Sequence, residues 1–147
     1  MGGYFGVGIY HPKTEQNIGT LWRSAEAFGA SFICTIGRRY KKQGSDTTKT
    51  YRQIPLFHFE DLDDFSQHIP FGAELVAVEQ TSSSVNLKEF AHPDRAVYLL
   101  GAEDHGLPPK ILERCRKIVA IELPVCINVA VAGSIILFDR NNKATSV

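Results

Sequence analysis

Cysteine is scarce in this sequence. Cys34, Cys115 and Cys126 stand alone, with no C-x-x-C pair, which excludes a disulfide framework and gives no sign of a zinc site. An excess of either charge is missing too: 16 Lys and Arg balance 16 Asp and Glu. That balance argues against a nucleic-acid wrapper basic throughout and against a polybasic membrane binder, but leaves room for a local basic patch. Long apolar runs are absent. The longest, Val129 to Phe138, contains Gly133 and Ser134 and is too short to span a bilayer. The N-terminus has neither a basic n-region nor a long apolar h-region, so no secretory leader is expected. No N-x-S/T sequon occurs. The sequence reads as a reduced, cytoplasmic protein with no membrane or metal partner.

Common catalytic signatures are missing as well. Gly3, Gly6 and Gly8 do not fit G-x-G-x-x-G and fall before or inside the first apolar run rather than after it. Walker A, H-E-x-x-H and G-x-S-x-G motifs are absent. A hydrolase using Cys126 as nucleophile stays open as an alternative, although a lone cysteine beside a buried strand is more often structural.

What remains is a 147-residue chain, 44% hydrophobic, long enough for one domain over residues 1–147 that buries roughly two-thirds of its unfolded surface. Tyr4 to Tyr10 suits a buried strand. Ile18, Leu21, Trp22, Ala25 and Phe28 follow helical spacing, with Asn17 as the expected N-cap and Gly29 as the stop. Ser31 to Ile36 reads as a second strand, and Arg38 to Gln53 as a long polar loop. Helices are expected over Asp61 to His68, Pro108 to Cys115 and Asn128 to Arg140, followed by a polar tail over 141–147. Further strands are expected over Glu74 to Val78, Arg95 to Leu100 and Lys117 to Ile121. Alternation of this kind predicts a three-layer α/β fold on a mainly parallel sheet. Ligands then sit beyond the carboxyl ends of the strands, in the loops after Ile36, Val78, Leu100 and Ile121.

Three stretches stand out in those loops and the first helix. They are Asn17-Ile-Gly19-Thr-Leu-Trp-Arg23-Ser-Ala25-Glu-Ala-Phe28-Gly29, then Leu100-Gly101-Ala-Glu103-Asp-His-Gly106-Leu107-Pro108, then Ile121-Glu-Leu123-Pro124-Val-Cys126-Ile-Asn128-Val-Ala130-Val-Ala-Gly133. Singly each has a plain structural explanation: Asn17 as a helix cap, Arg23 as a solvated residue, Glu103 as part of an exposed turn. Together, in this order, they resemble the three motifs of the SpoU (TrmH-type) branch of the SPOUT RNA methyltransferases: N-x-G-x-x-x-R-x-A-x-x-F-G, then G-x-E-x-x-G-L, then a proline-led loop ending S-L-N-V. The resemblance spans about Tyr4 to Arg140.

The resemblance implies an α/β fold with a deep C-terminal trefoil knot, a rare exception to ordinary chain topology. It implies S-adenosylmethionine held by groups at Val78, Leu100, Gly101, Ile121, Leu123, Cys126 and Ile127. It further implies a homodimer with an active site shared across the interface. The last helix points the same way on its own. Val129, Val131, Ile135, Ile136, Leu137 and Phe138 cover nearly every direction around it, which calls for burial on more than one side.

The implied reaction is methyl transfer to a ribose 2′-hydroxyl of structured RNA. Asn17, Arg23, Glu103 and Asn128 are the implied catalytic set. Guanidinium groups stay protonated in proteins, so binding a phosphate and stabilising charge on the nucleophile suit Arg23 better than general-base work. Asn17 and Asn128 would orient Arg23 or the ribose, and Glu103 would hold the guanidinium or fix its loop. Two departures from the pattern bear on the cofactor pocket. Cys126 stands where the family usually has serine, and the stretch from Pro124 to Cys126 is several residues shorter than usual.

The balanced charge conceals one uneven segment. Between Gly37 and Ile54 lie Arg38, Arg39, Lys41, Lys42, Lys49 and Arg52 against the single anion Asp46. Tyr40 and Tyr51 are interleaved, a composition suited to unpaired RNA as well as to an ordinary solvated loop. With no further RNA-binding module read ahead of the first motif, a tRNA is expected over ribosomal RNA by analogy. A non-catalytic RNA-binding module of the same fold is the alternative within the family.

Overall fold

The computed structural model describes residues 3–38, 40, 53–102 and 106–143. Seven strands form one sheet in the order β3-β2-β1-β6-β4-β7-β5, and every pairing between them is parallel. In chain order the elements are β1 (Tyr4–Tyr10), α1 (Glu15–Ala27), β2 (Phe32–Ile36), β3 (Leu56–Phe59), α2 (Leu62–Gln67) and β4 (Glu74–Val78). There follow β5 (Val85–Asn86), a 3-10 turn (Leu87–Glu89), β6 (Arg95–Gly101), α3 (Pro109–Arg114), β7 (Lys117–Ala120) and α4 (Val129–Asn142). Central strands covered on both faces need apolar side chains in both directions, and β1, β2 and β6 are apolar almost throughout.

Alternation along the strands builds two cores. Phe5, Val7 and Ile9 of β1 join Ile18, Leu21 and Ala25 of α1 and Ile136 and Leu137 of α4. On the other face Phe32, Cys34, Ile36, Val97 and Leu99 pack with Phe65 of α2 and Ile111 of α3. The three expected layers are therefore present. Helices α1 and α4 lie side by side, and a Cβ on Gly133 would come within 2.5 Å of Leu21, so only glycine allows that approach.

Several expected boundaries shift. Asn17 is not the N-cap of α1. Thr14 takes that place, its Oγ1 accepting from the Asn17 backbone N–H at 3.1 Å. Apolar periodicity begins only at Ile18, one turn into the helix, and so marked the wrong cap. Strands β3 and β5 escaped the sequence reading because each is a short edge strand, of four and two residues. Helix α4 runs past Arg140 into the expected tail, where Asn141 Nδ2 donates to the Phe28 carbonyl at 3.1 Å.

The C-terminal end of α4 is anchored by a buried polar cluster. Arg140 is 1% exposed. Its guanidinium donates to the carbonyls of Pro93 (2.6 Å) and Asp94 (2.9 Å) and to the Tyr98 hydroxyl (3.0 Å), and lies over the Phe5 ring. His92 sits between the Tyr98 hydroxyl and Asp139, 2.7 Å from each, and Lys143 pairs with Asp139 at 2.9 Å. Burial pushes the His92 imidazole below its ordinary range, outweighing the upward pull of Asp139, and pushes the Tyr98 phenol up to about 12.

Candidate active site

At the opposite end of α4 the carboxyl ends of β4, β6 and β7 surround a cavity of about 530 Å³. That volume lies within the range of small-molecule and cofactor sites. Val78, Leu100, Gly101, Ile121, Leu123, Cys126 and Ile127 all line it. So do Glu79, Gln80, Ala102, Gly106, Pro124, Val125, Val129 and Ala132, which the expected cofactor set did not include. Leu100, Ile121, Ile127 and Val129 offer the apolar walls that a purine ring needs, while strand ends and loops supply backbone donors and acceptors. At Gly101 a Cβ would come within 2.2 Å of the Gly106 backbone, so glycine is required for the second-motif loop to fold back. Size, apolar walls and exposed main chain together fit an adenosyl ligand.

Asn128 is the N-cap of α4, its Oδ1 accepting from the backbone N–H groups of Ala130 (2.8 Å) and Val131 (3.2 Å). Its Nδ2 donates to Asn17 Oδ1 at 2.9 Å. First and third motifs, 111 residues apart in the chain, thus meet through one side-chain hydrogen bond. This contact became possible because Thr14 rather than Asn17 caps α1.

Arg23 lies elsewhere. It is exposed on α1, does not line the cavity, and has no hydrogen bond or ion pair among the described residues. One turn before it, Thr20 borders a second, apolar surface shared with Phe28, Ala130, Val131, Ser134, Ile135 and Phe138. Val131 is 47% and Phe138 59% exposed, so the two-sided burial expected of α4 is only half met within one chain. The cavity and this apolar surface sit on neighbouring faces of the first turns of α4, with Val129 and Ala132 on one and Ala130 and Val131 on the other.

Of the expected RNA-binding cations, Arg38 is committed to the protein. Its guanidinium donates to the Pro12 carbonyl at 3.2 Å and to the Lys13 carbonyl, and pairs with Glu15 at 3.3 Å. Arg39, Lys41, Lys42, Lys49 and Arg52, like Glu103, lie outside the described residues. The described ends of that loop rest on α1 beside Arg23. The Tyr40 and Trp22 rings meet edge to face, Trp22 Nε1 donates to the Ile54 carbonyl at 3.1 Å, and Glu26 accepts from the Ile54 N–H at 3.3 Å. Cys126 is exposed at the cavity, whereas burial pushes the Cys34 and Cys115 thiols up to about 12 and about 11. Among the described residues no cluster could hold a metal ion, and no helix is long and apolar enough to cross a membrane.

The model of the SpoU rRNA Methylase family matches residues 5–138. The chain belongs to this family. Among curated SpoU relatives, mouse tRNA (guanosine(18)-2'-O)-methyltransferase TARBP1 is 24% identical over 138 residues, covering 86% of this chain and 9% of the mouse protein. The tRNA (guanosine(18)-2'-O)-methyltransferase of Aquifex aeolicus (strain VF5) is 26% identical over 138 residues, covering 89% of this chain and 65% of that protein. The chain thus spans less than two-thirds of either relative. Among solved structures, the AdoMet-bound rRNA methyltransferase of Sinorhizobium meliloti superposes with a TM-score of 0.84 at 24% identity, over 97% of this chain and 57% of that one. A structure addressing 2-OH methylation of C/U34 on tRNA gives a TM-score of 0.78 at 22% identity, over 95% of both chains. These likenesses establish the SpoU methyltransferase fold.

Proposed function

We propose that this SpoU-family chain transfers a methyl group from S-adenosylmethionine to a ribose 2′-hydroxyl of structured RNA, with tRNA favoured over ribosomal RNA. The observation that carries the reading is the adenosyl-sized cavity at the strand ends, placed beside the Asn17–Asn128 pair. Two curated relatives named as tRNA 2′-O-methyltransferases support it, as does the match along 95% of a chain studied for 2-OH methylation on tRNA. In this reading all 147 residues form one methyltransferase domain, acting in the cytoplasm. Its C-terminal segment carries the trefoil knot, in keeping with the late strands β6 and β7 inserting between strands laid down earlier.

S-adenosylmethionine, when bound, supplies an electrophilic methyl group. The chain's own task is to hold the ribose in line and to compensate charge on the attacking oxygen. Asn128, fixed by capping α4 and by Asn17, offers a rigid polar group between the cavity-lining residues Ile127 and Val129. Arg23 binds an RNA phosphate and stabilises the developing alkoxide. Glu103 completes the catalytic set in this reading. The cations Arg38, Arg39, Lys41, Lys42, Lys49 and Arg52 contribute the RNA-binding segment, with Arg38 acting through its hold on the loop before α1.

The apolar surface on α1 and α4 is the homodimer interface in this reading. A second copy seated there would lie against the first turns of α4 and bring the partner's α1 toward the cavity, which accounts for an Arg23 remote from its own. Incubating the protein with S-adenosylmethionine and unmodified tRNA, then mapping ribose methylation at nucleotide resolution, tests the proposal. A single methylated 2′-hydroxyl is expected. Cofactor binding with no methylation of tRNA or ribosomal RNA would favour the non-catalytic RNA-binding module instead.

A further inference from the structure

Glu79 follows β4 directly and is the only charged residue among the described residues lining the cavity. Its Oε1 accepts the Leu107 backbone N–H at 2.9 Å. A Cβ on Gly106 would come within 2.5 Å of the same oxygen, so the second-motif loop folds directly onto this carboxylate. The other oxygen, Oε2, has no hydrogen-bond partner among the described residues. An ionised carboxylate can only accept, so a ligand group hydrogen-bonded to Oε2 must donate. At the carboxyl end of a parallel strand, an acidic side chain accepting from ribose hydroxyls is a recurrent solution to nucleoside recognition. A sulfonium centre carries no N–H or O–H and can meet a carboxylate only through charge, not by donating a hydrogen bond. Ribose hydroxyls can donate.

Building on the cofactor reading above, we infer that Glu79 binds the ribose hydroxyls of the adenosyl group through Oε2 while Oε1 anchors the loop from Gly101 to Leu107. Glu79 thereby links occupation of the cavity to the position of Gly106 and Leu107.

The test measures equilibrium binding by calorimetry, with the full chain, for S-adenosylmethionine, S-adenosylhomocysteine and the 2′-deoxy and 3′-deoxy forms of the latter. Wild type is expected to lose about tenfold in affinity for at least one deoxy analogue, as befits a hydrogen bond to a charged group. Glu79→Gln keeps an acceptor for Leu107 and so keeps the loop, which an unchanged thermal midpoint verifies. This variant should bind both natural ligands about tenfold more weakly and no longer discriminate against that deoxy form. Unchanged affinity in Glu79→Gln would limit Glu79 to loop anchoring and overturn the inference. Loss confined to S-adenosylmethionine would assign the carboxylate to the sulfonium charge and overturn it equally. If wild type binds the natural ligands but ignores the deoxy changes, the inference fails while the cofactor reading stands; if it binds none of them, both fail.

Discussion

The two ends of α4 handle polar side chains in opposite ways. At the C-terminal end, Arg140, His92 and Tyr98 are buried and bonded among themselves, to backbone carbonyls and to the half-buried Asp139. At the N-terminal end, Asn128 is exposed, and Arg23 of the adjacent helix has no partner among the described residues. A buried polar group left without partners costs stability, so these bonds offset the cost of taking the polar side chains out of water. Groups at the rim keep bonding capacity that water satisfies and a ligand can take over. One helix thus joins a cluster whose bonding serves the fold to a rim whose bonding is open to substrate.

Breaking the interior end should produce the largest effect on folding. Arg140→Met leaves the Tyr98 hydroxyl and the Pro93 and Asp94 carbonyls without their donor. A loss of about 3–5 kcal/mol is expected from urea unfolding. Cofactor affinity, measured where the variant is still folded, should change little.

Arg23→Ala inverts that pattern. Methyl transfer should fall by about 100- to 1,000-fold, with the unfolding midpoint and S-adenosylmethionine affinity within error of wild type. Retained turnover would remove Arg23 from the catalytic set.

Asn128→Asp separates capping from function at the rim. Aspartate caps a helix as well as asparagine does, so stability should shift by less than about 1 kcal/mol. It cannot donate to Asn17 Oδ1, and methyl transfer is expected to drop at least tenfold. Full activity in this variant would reduce the Asn17–Asn128 bond to a packing detail.

A pH series sharpens the contrast without mutation. Because the folded-state pKa of His92 lies below its unfolded value of 6.5, the unfolded chain takes up the proton first as pH falls. The stability that neutral His92 contributes is therefore present above about pH 6.5 and is lost progressively as pH drops below it. His92→Gln should flatten that part of the profile.

The smallest effect is expected at Cys126. A thiol reagent should modify this exposed cysteine well before Cys34 and Cys115, whose burial disfavours the thiolate. Bound S-adenosylmethionine should slow the modification. Equal labelling of all three would contradict the burial difference.

The halves of the molecule were unequally legible in the sequence. Central strands and the four helices could be read because apolar runs and capping residues act locally. Edge strands β3 and β5 could not, since a few residues carry no period and gain their conformation only from a neighbouring strand. Periodicity located α1 but named the wrong cap, because the helix begins a turn before its apolar stripe. In the site, the family resemblance named seven residues that line one cavity. Glu79 went unnoticed, although an acidic residue directly after a strand at the ligand end of a parallel sheet was the available signal.

By itself, the sequence determined a parallel α/β chain with SpoU motifs in order, and its near-even charge excluded a protein basic throughout. Tertiary structure alone decided that Asn17 and Asn128 bond, that Glu79 meets Leu107, and that Arg23 stands apart from the cavity. Such pairings depend on which strand ends lie side by side, set by a strand order that no local propensity encodes. Cysteine scarcity acquired a finer meaning in the same way, with two thiols placed in packed surroundings and Cys126 at the mouth of the site.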